Sequence, residues 1–465
     1  MKNESKNFVA LAEIAIEDGN VPRAVGKGTR TAFARRISAM YGTGHEHGEK
    51  MRQQAAEAKR RSLRQLPDLL EQAEQTLTEN GVTVLWAETA EEARQHVLKI
   101  AQEHGSQSIA KSKSMATEEI ALNDALIANG LDVIETDLGE YILQLNEEHP
   151  SHIVTPVIHK SKDDIRAIFQ EKLDMPYIEE AEPMVAFARG KLREKFLNAD
   201  MGVTGANFII AETGSLCLVM NEGNGRMVTT MPDVHVAVVG IEKVIANMQD
   251  YATLTQVLPR SGTGQNLTVY TNIINGTCDD GGPEHMYVIF LDNGRSEIYS
   301  NPKYTEALAC IRCGACLNAC PVYRSTGGHA YGWVYGGPIG AVITPLLEGI
   351  DTATPLPNAS SLCGSCKQVC PVDIDIPRML LDLRHDIVEM RESELKWDAA
   401  IKSWEYVNLS APIFEWGGKA ARLGLKLGAD KLVPNPLGEW KKYRDFPDFA
   451  PKSFRQQWRD RQKGE

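Results

Sequence analysis

The residues most able to do chemistry are cysteines. The chain of 465 residues has nine, and seven of them fall between residues 310 and 370. Cys310, Cys313, Cys316 and Cys320, with Pro321 behind them, follow the C-x2-C-x2-C-x3-C-P spacing of a bacterial-type iron–sulfur site. Three thiolates three residues apart can wrap one corner of a cubane, and Gly314 permits the tight turn between them. The fourth, Cys320, stands at a helix start and points the other way, toward a second cluster. A second motif, Ser360, Cys363, Cys366, Cys370 and Pro371, aligns on the first, with serine at the first position. Exchanging the fourth cysteines gives an expected assignment. Cluster one takes Cys310, Cys313, Cys316 and Cys370; cluster two takes Cys320, Cys363 and Cys366 and is one thiolate short.

Cluster one is therefore expected to be [4Fe-4S]. Cluster two is either [4Fe-4S] with a non-cysteine fourth position, filled by Ser360, water or a substrate atom, or [3Fe-4S]. Cys278 is a weaker candidate for that place, and Cys217, inside an apolar run, reads as a core residue. A pair of zinc sites is the competing reading, but two C-x3-C-P tails fit four-ligand zinc knuckles poorly. A disulfide scaffold would spread its cysteines over a small secreted domain. Between the motifs lies a glycine-rich stretch with Tyr331, Trp333 and Tyr335, expected to pack over a cluster and exclude water. His329 is a candidate ligand or proton carrier there, though such a histidine more often serves packing.

These motifs need a scaffold. Ile339–Leu347 and Ile376–Glu392 read as helices, so an all-helical two-cluster ferredoxin module is expected over 301–396. Upstream, 76–300 alternates strands and helices: strands at Val82–Trp86, Ser108–Ala110 and Leu131–Glu135, with helices at Ala90–Glu103 and Thr117–Asn129. Further strands are expected at Phe208–Ala211, Ser215–Met220, His235–Gly240, Leu267–Asn272 and Tyr287–Leu291. This is the pattern of an α/β domain with an open, parallel-type sheet. Residues 1–75 read as helical, with a basic segment at Gly26–Arg36 expected to be a solvated arm or helical layer. The region 397–465 is basic and holds five of the seven tryptophans. It is expected to be a docking surface or a core of its own.

Within 76–300, Gly223–Gly225 and Ser261–Gly264 are loops able to cradle an anion, and Lys111, Lys113, Arg226 and Arg295 are candidates to hold a carboxylate or phosphate. Ordinary turns of a βα fold are the commoner explanation of each. Glu212 stands near a strand end without a clear role. No dinucleotide or P-loop fingerprint is present, and the catalytic residues stay unknown.

The net charge of −12 argues against nucleic acid as a partner. The first twenty residues lack a basic start and long apolar stretch, so a cytoplasmic protein is expected. No run is long and apolar enough for a transmembrane helix. Membrane association would rest on an amphipathic helix at Pro412–Leu427 and is otherwise not indicated.

Cys310–Tyr323, Gly327–Ala341 and Ser360–Cys366, with the serine in the cysteine's place, resemble the lactate-utilisation protein B family. Ala206–Ser215, Glu222–Arg226 and Lys111–Met115 are similar to that family's large N-terminal domain, so the likeness covers almost the whole chain. The resemblance implies an N-terminal fold related to sugar-phosphate isomerases and CoA transferases. It also implies a cysteine module like the helical ferredoxin domain of succinate dehydrogenase and glycolate oxidase subunits. The second motif of the succinate dehydrogenase subunit is spaced more widely, so its cluster type does not carry over. The implied role is electron transfer in the oxidation of L-lactate to pyruvate, beside two partner proteins. The alternative is an enzyme in its own right, whose α/β domain binds a 2-hydroxy or 2-oxo acid, with chemistry at the under-ligated cluster.

Overall fold

The computed structural model describes residues 2–278, 281–390, 395–426 and 450–464. Residues up to Met390 form one compact unit and those from Arg391 a second. The first unit opens with four helices: α1 (Phe8–Asp18), α2 (Asn20–Tyr41), α3 (His45–Arg64) and α4 (Leu66–Glu79). Ten strands follow: β1 (Thr83–Ala87), β2 (Ser108–Lys111), β3 (Asp132–Glu135), β4 (Met201–Thr204), β5 (Phe208–Ile210), β6 (Ser215–Met220), β7 (Val234–Gly240), β8 (Val244–Ile245), β9 (Tyr270–Ile274) and β10 (His285–Leu291). Six of them make a parallel sheet in the order β1-β10-β7-β4-β2-β3. Its central strand β7 is buried at every position, as its valine-rich sequence requires when helices cover both faces.

The other four strands form a smaller mixed sheet in the order β8-β5-β6-β9. β5 and β6 are an antiparallel hairpin, closed by a turn in which Gly214 takes a positive φ of 60°. β9 pairs antiparallel with β6 from Tyr270 to Ile274. The strand expected at Leu267–Asn272 is thus shifted: Leu267 and Val269 are exposed, and pairing with β6 fixes the register. The helix expected over Thr117–Asn129 is two helices, Met115–Glu119 and Leu122–Ala128, broken where Ala121 adopts φ 49°. The break lets Ile120 and Leu122, on either side of it, both go fully inside. The helix from Ile376 ends at Glu389, and residues 391–392 of the expected stretch lie outside the described residues.

One apolar core runs from α1–α4 through the small sheet and into the cysteine segment, while a second lies against the parallel sheet. The basic N-terminal region is therefore no solvated arm. Arg36, Arg52 and Lys59 are buried, and each donates to a main-chain carbonyl: Val369 at 2.7 Å, Cys370 at 3.0 Å and Glu242 at 2.7 Å.

A buried charge network ties the parallel sheet to the cysteine segment. Arg295 makes a two-pronged contact with Glu119 at 2.8 Å for each pair and donates from Nε to Glu242 at 2.7 Å. The Tyr335 hydroxyl donates to the same Glu119, at 2.6 Å. Burial opposes the ionisation of both carboxyls, but Arg295, joined at Glu242 by Lys243, Arg312 and Lys59, outweighs it and holds each below its ordinary value, Glu242 at about 2.

In the second unit the helices are Leu395–Asn408, Ala411–Lys426 and Phe454–Gln462. The expected amphipathic stretch lies on the middle one, apart from Leu427, which is outside the described residues. Trp404, Trp416 and Trp458 are exposed, so they do not form a core of this unit. Trp440 falls outside the described residues.

Removing Arg295 would leave Glu119 buried without its cation and take from Glu242 the strongest of several. Arg295→Met is expected to cost roughly 3–5 kcal/mol in denaturant unfolding. Because both carboxyl pKa values are depressed by folding, the wild-type contribution is complete above the ordinary value of about 4.5 and fades as pH falls toward 2. An unchanged unfolding midpoint in the variant would refute the role given to this network.

Candidate metal centre

Both cysteine motifs build the same local backbone. The cysteine at the second position of each motif, Cys313 or Cys363, follows a residue with positive φ, Arg312 at 58° and Leu362 at 52°. Each is followed by a left-handed glycine, Gly314 at 74° and Gly364 at 80°. A short helix comes next, Ala315–Ala319 in one motif and Ser365–Val369 in the other, and ends at the last cysteine. Non-glycine residues at positive φ cost about 1–2 kcal/mol, and both motifs hold one at the same place. The fold turns main-chain N–H groups toward sulfur: Tyr323 N–H donates to Cys320 Sγ at 3.5 Å, and Ala315, Lys367 and Ile374 do the same for Cys313, Cys366 and Cys370.

None of the nine cysteines forms a disulfide. Cys310, Cys313, Cys316 and Cys370 line one small cavity, closed by Ile311, Ile339, Val372, Ile374 and Ile376. Cys320, Cys363 and Cys366 are electrostatic neighbours of one another. Cys316 feels Cys366 more than Cys370, so the two sets of thiols adjoin. Cys313, Cys316, Cys320, Cys366 and Cys370 are buried, while Cys363 is exposed. Burial first, and neighbouring thiols second, push Cys313 up to about 12. Deprotonated, these sulfurs need a cationic partner such as iron. Among the described residues, no three His, Cys, Asp or Glu side chains close on a single metal ion.

Cations absent from the sequence-level candidates surround the four-thiol group. Arg36 acts electrostatically on Cys313 and Arg52 on Cys370. Lys59, Lys243 and Arg312 all act on, or are acted on by, Cys310. Burial lowers Lys59 and Lys243 to about 8; the negative charge of a bound cluster would oppose that. Nothing in the local sequence of α2 or α3 signals this role, because their partners are hundreds of residues away.

The remaining candidates fall out as follows. Ser360 Oγ accepts from Leu362 N–H at 3.1 Å, and Ser365 Oγ accepts from Cys363 Sγ at 3.5 Å. His329 is exposed, and its Nε2 meets the His149 carbonyl at 2.7 Å, a packing role. Cys278 is exposed in the loop after β9, and Cys217 is buried in β6. Tyr331, Trp333 and Tyr335 are buried. Tyr335 carries Arg312 on its ring face at 4.5 Å. Tyr331 is fully buried beside Cys320, Cys316 and Cys366, and its hydroxyl has no hydrogen-bond partner. An orphaned donor in that place fits a sulfur-rich acceptor group between the two sets of thiols.

Of the four cations considered for an anion, Lys111 is buried against Glu118 and Glu135. Arg295 is taken by the network above, and Arg226 is exposed. Lys113, paired with Asp137 at 2.9 Å, lines a cavity of about 590 Å³ between the sheet and the first motif. Both glycine loops reach it, through Asn224 and Gly225 and through Gly262 and Thr263. On the cysteine side its wall includes Arg312, Cys313 and Tyr335. Glu212 takes no part; it accepts from Met248 N–H at 3.1 Å, at a helix start.

An α/β body joined to paired cysteine motifs defines an iron–sulfur protein of two parts. The LUD domain family matches residues 70–291, the 4Fe-4S dicluster domain family 306–374, and the "Lactate utilisation protein B, C-terminal" family 387–463. Lactate utilization protein B of Bacillus subtilis is 42% identical over 100% of this chain and 98% of its own length. That of Bacillus pumilus is 41% identical over 100% and 99%. The "Uncharacterized electron transport protein YkgF" of Escherichia coli is 40% identical over 98% and 97%. This chain belongs to the lactate utilization protein B family. A crystal structure of a DUF162 family protein from Deinococcus radiodurans is similar over 49% of this chain and 98% of its own, at 15% identity and a TM-score of 0.29.

Tyr331→Phe removes one hydroxyl donor and little volume. If that donor faces cluster sulfur, the midpoint potential of one cluster should fall by about 50 mV, since a hydrogen bond stabilises the more negative reduced form. Iron content should not change. Redox titration followed by EPR measures both, and identical potentials would remove Tyr331 from the site.

Proposed function

We propose that this protein is the iron–sulfur electron carrier of a cytoplasmic complex that oxidises L-lactate to pyruvate with two partner proteins. Cluster one is [4Fe-4S] on Cys310, Cys313, Cys316 and Cys370. Cluster two, on Cys320, Cys363 and Cys366, is [4Fe-4S] with a non-cysteine fourth position or [3Fe-4S]. Such clusters pass one electron at a time. The observation that carries the reading is a small cavity lined by Cys310, Cys313, Cys316 and Cys370, adjoined by three further thiols that reach the surface at Cys363. That arrangement suits a relay whose exit lies near Cys363. The relatives' names supply lactate.

The competing reading, an enzyme acting at the under-ligated cluster, needs a substrate cavity beside Cys320, Cys363 or Cys366. The large cavity meets Cys313 instead, which favours the carrier. No described helix is long and apolar enough to cross a membrane. The exposed Trp404, Trp416 and Trp458 are suited to docking a partner protein.

Two measurements test this. In anaerobically purified protein, Cys313→Ala should lose the iron of one cluster; an unchanged iron count would sink the ligand assignment. L-Lactate should reduce both clusters only when the two partner proteins are present. Reduction of the isolated protein by lactate would establish the enzyme reading in its place.

A further inference from the structure

The 590 Å³ cavity is built from both halves of the first unit, yet electron transfer through the clusters does not require it. Its charged side chains form two separate groups. Lys113, Asp137 and Glu222 interact with one another. Lys243, Arg312, Glu242 and Arg295 form the other, which faces the cysteine side. In this second group the cations are under-used. Glu242 commits one oxygen to Arg295 at 2.7 Å and leaves the other 3.8 Å from Arg312. Arg312 keeps only 11% of its side-chain surface exposed, and its Nη1 is buried with no hydrogen-bond partner. Lys243 lines the cavity, and its side chain, attracted by Glu242 and Cys310, makes no hydrogen bond with a described residue. A Lys–Arg pair with unmade bonds, facing a cavity, is a receptor for a carboxylate or phosphate.

The rest of the wall is mainly apolar, with Ile142, Ile153, Val157, Leu218 and Val239 among its residues. Cavities of roughly 300–1,000 Å³ suit drug-sized or cofactor-sized ligands. A three-carbon acid would fill only a small part of this one. We propose that the cavity binds an organic anion of cofactor size, an aromatic ring system carrying a phosphate or carboxylate, with the anionic group on Lys243 and Arg312 and the ring within reach of Cys313.

The test uses the full-length, cluster-loaded protein under anaerobic conditions. FMN serves as the anionic aromatic probe, riboflavin as the same ring without phosphate, and pyruvate as the small acid, each measured by equilibrium dialysis. FMN should bind, and riboflavin should bind at least about tenfold more weakly, as loss of a charge-assisted contact implies. Lys243→Met should abolish that difference, with iron content and EPR recorded on the same sample to show that the clusters, whose charge Lys243 also helps to balance, are retained. Iron content and EPR report on the electron-carrier reading separately, so either can fail alone. The comparison of FMN with riboflavin decides even if the variant does not fold. The proposal is overturned if FMN does not bind, if riboflavin binds as tightly, if pyruvate binds and FMN does not, or if a folded Lys243→Met variant keeps the full difference.

Discussion

The constraint on which the rest of this structure depends is the burial of negative sulfur. Four thiols enclosed by isoleucine and valine must be deprotonated to hold iron, and a low-dielectric interior penalises every uncompensated charge. The fold meets this with cations that are themselves buried. Arg36 and Arg52 come from α2 and α3, Lys59 from α3, Lys243 from the segment after β7, and Arg312 from the motif itself. None could be buried alone. The N-terminal helices, the small sheet and the cysteine segment therefore share one core, because their charges neutralise each other only when assembled.

The cysteine spacing and the parallel strands could be read from the sequence because they are local properties. Thiols three residues apart belong to one short loop wherever it lies. A valine-rich run such as β7 is buried in any α/β sheet. Cys370 of the second motif shares a small cavity with Cys310, Cys313 and Cys316 of the first, and Cys320 of the first neighbours Cys363 and Cys366 of the second.

What escaped the sequence is set by distant partners. Strand β4, with a glycine among only four residues, has little apolar signal of its own and is defined by β2 and β7 on either side. β9 takes its register from β6. The basic stretch of α2 reads as solvated because Arg36 finds its acceptor at Val369, and no local pattern announces a carbonyl 333 positions away. Arg295 looked free for an anion because Glu119 and Glu242, which hold its guanidinium, belong to other elements. The orphaned hydroxyl of Tyr331 is a property of a filled interior, where composition gives only an aromatic residue in a glycine-rich loop.

That separation between Arg36 and Val369 also has a consequence in time. At 5–20 residues per second, a ribosome needs roughly 20–70 s to make the chain between them. For that interval Arg36 and Arg52 have no Val369 or Cys370 carbonyl to meet. The thiols of the first motif likewise emerge before Cys370, the last member of their group. On the proposed ligand assignment, the metal site cannot be complete before residue 370 has been made. Shielding by a chaperone would matter most before residue 370 has left the ribosome.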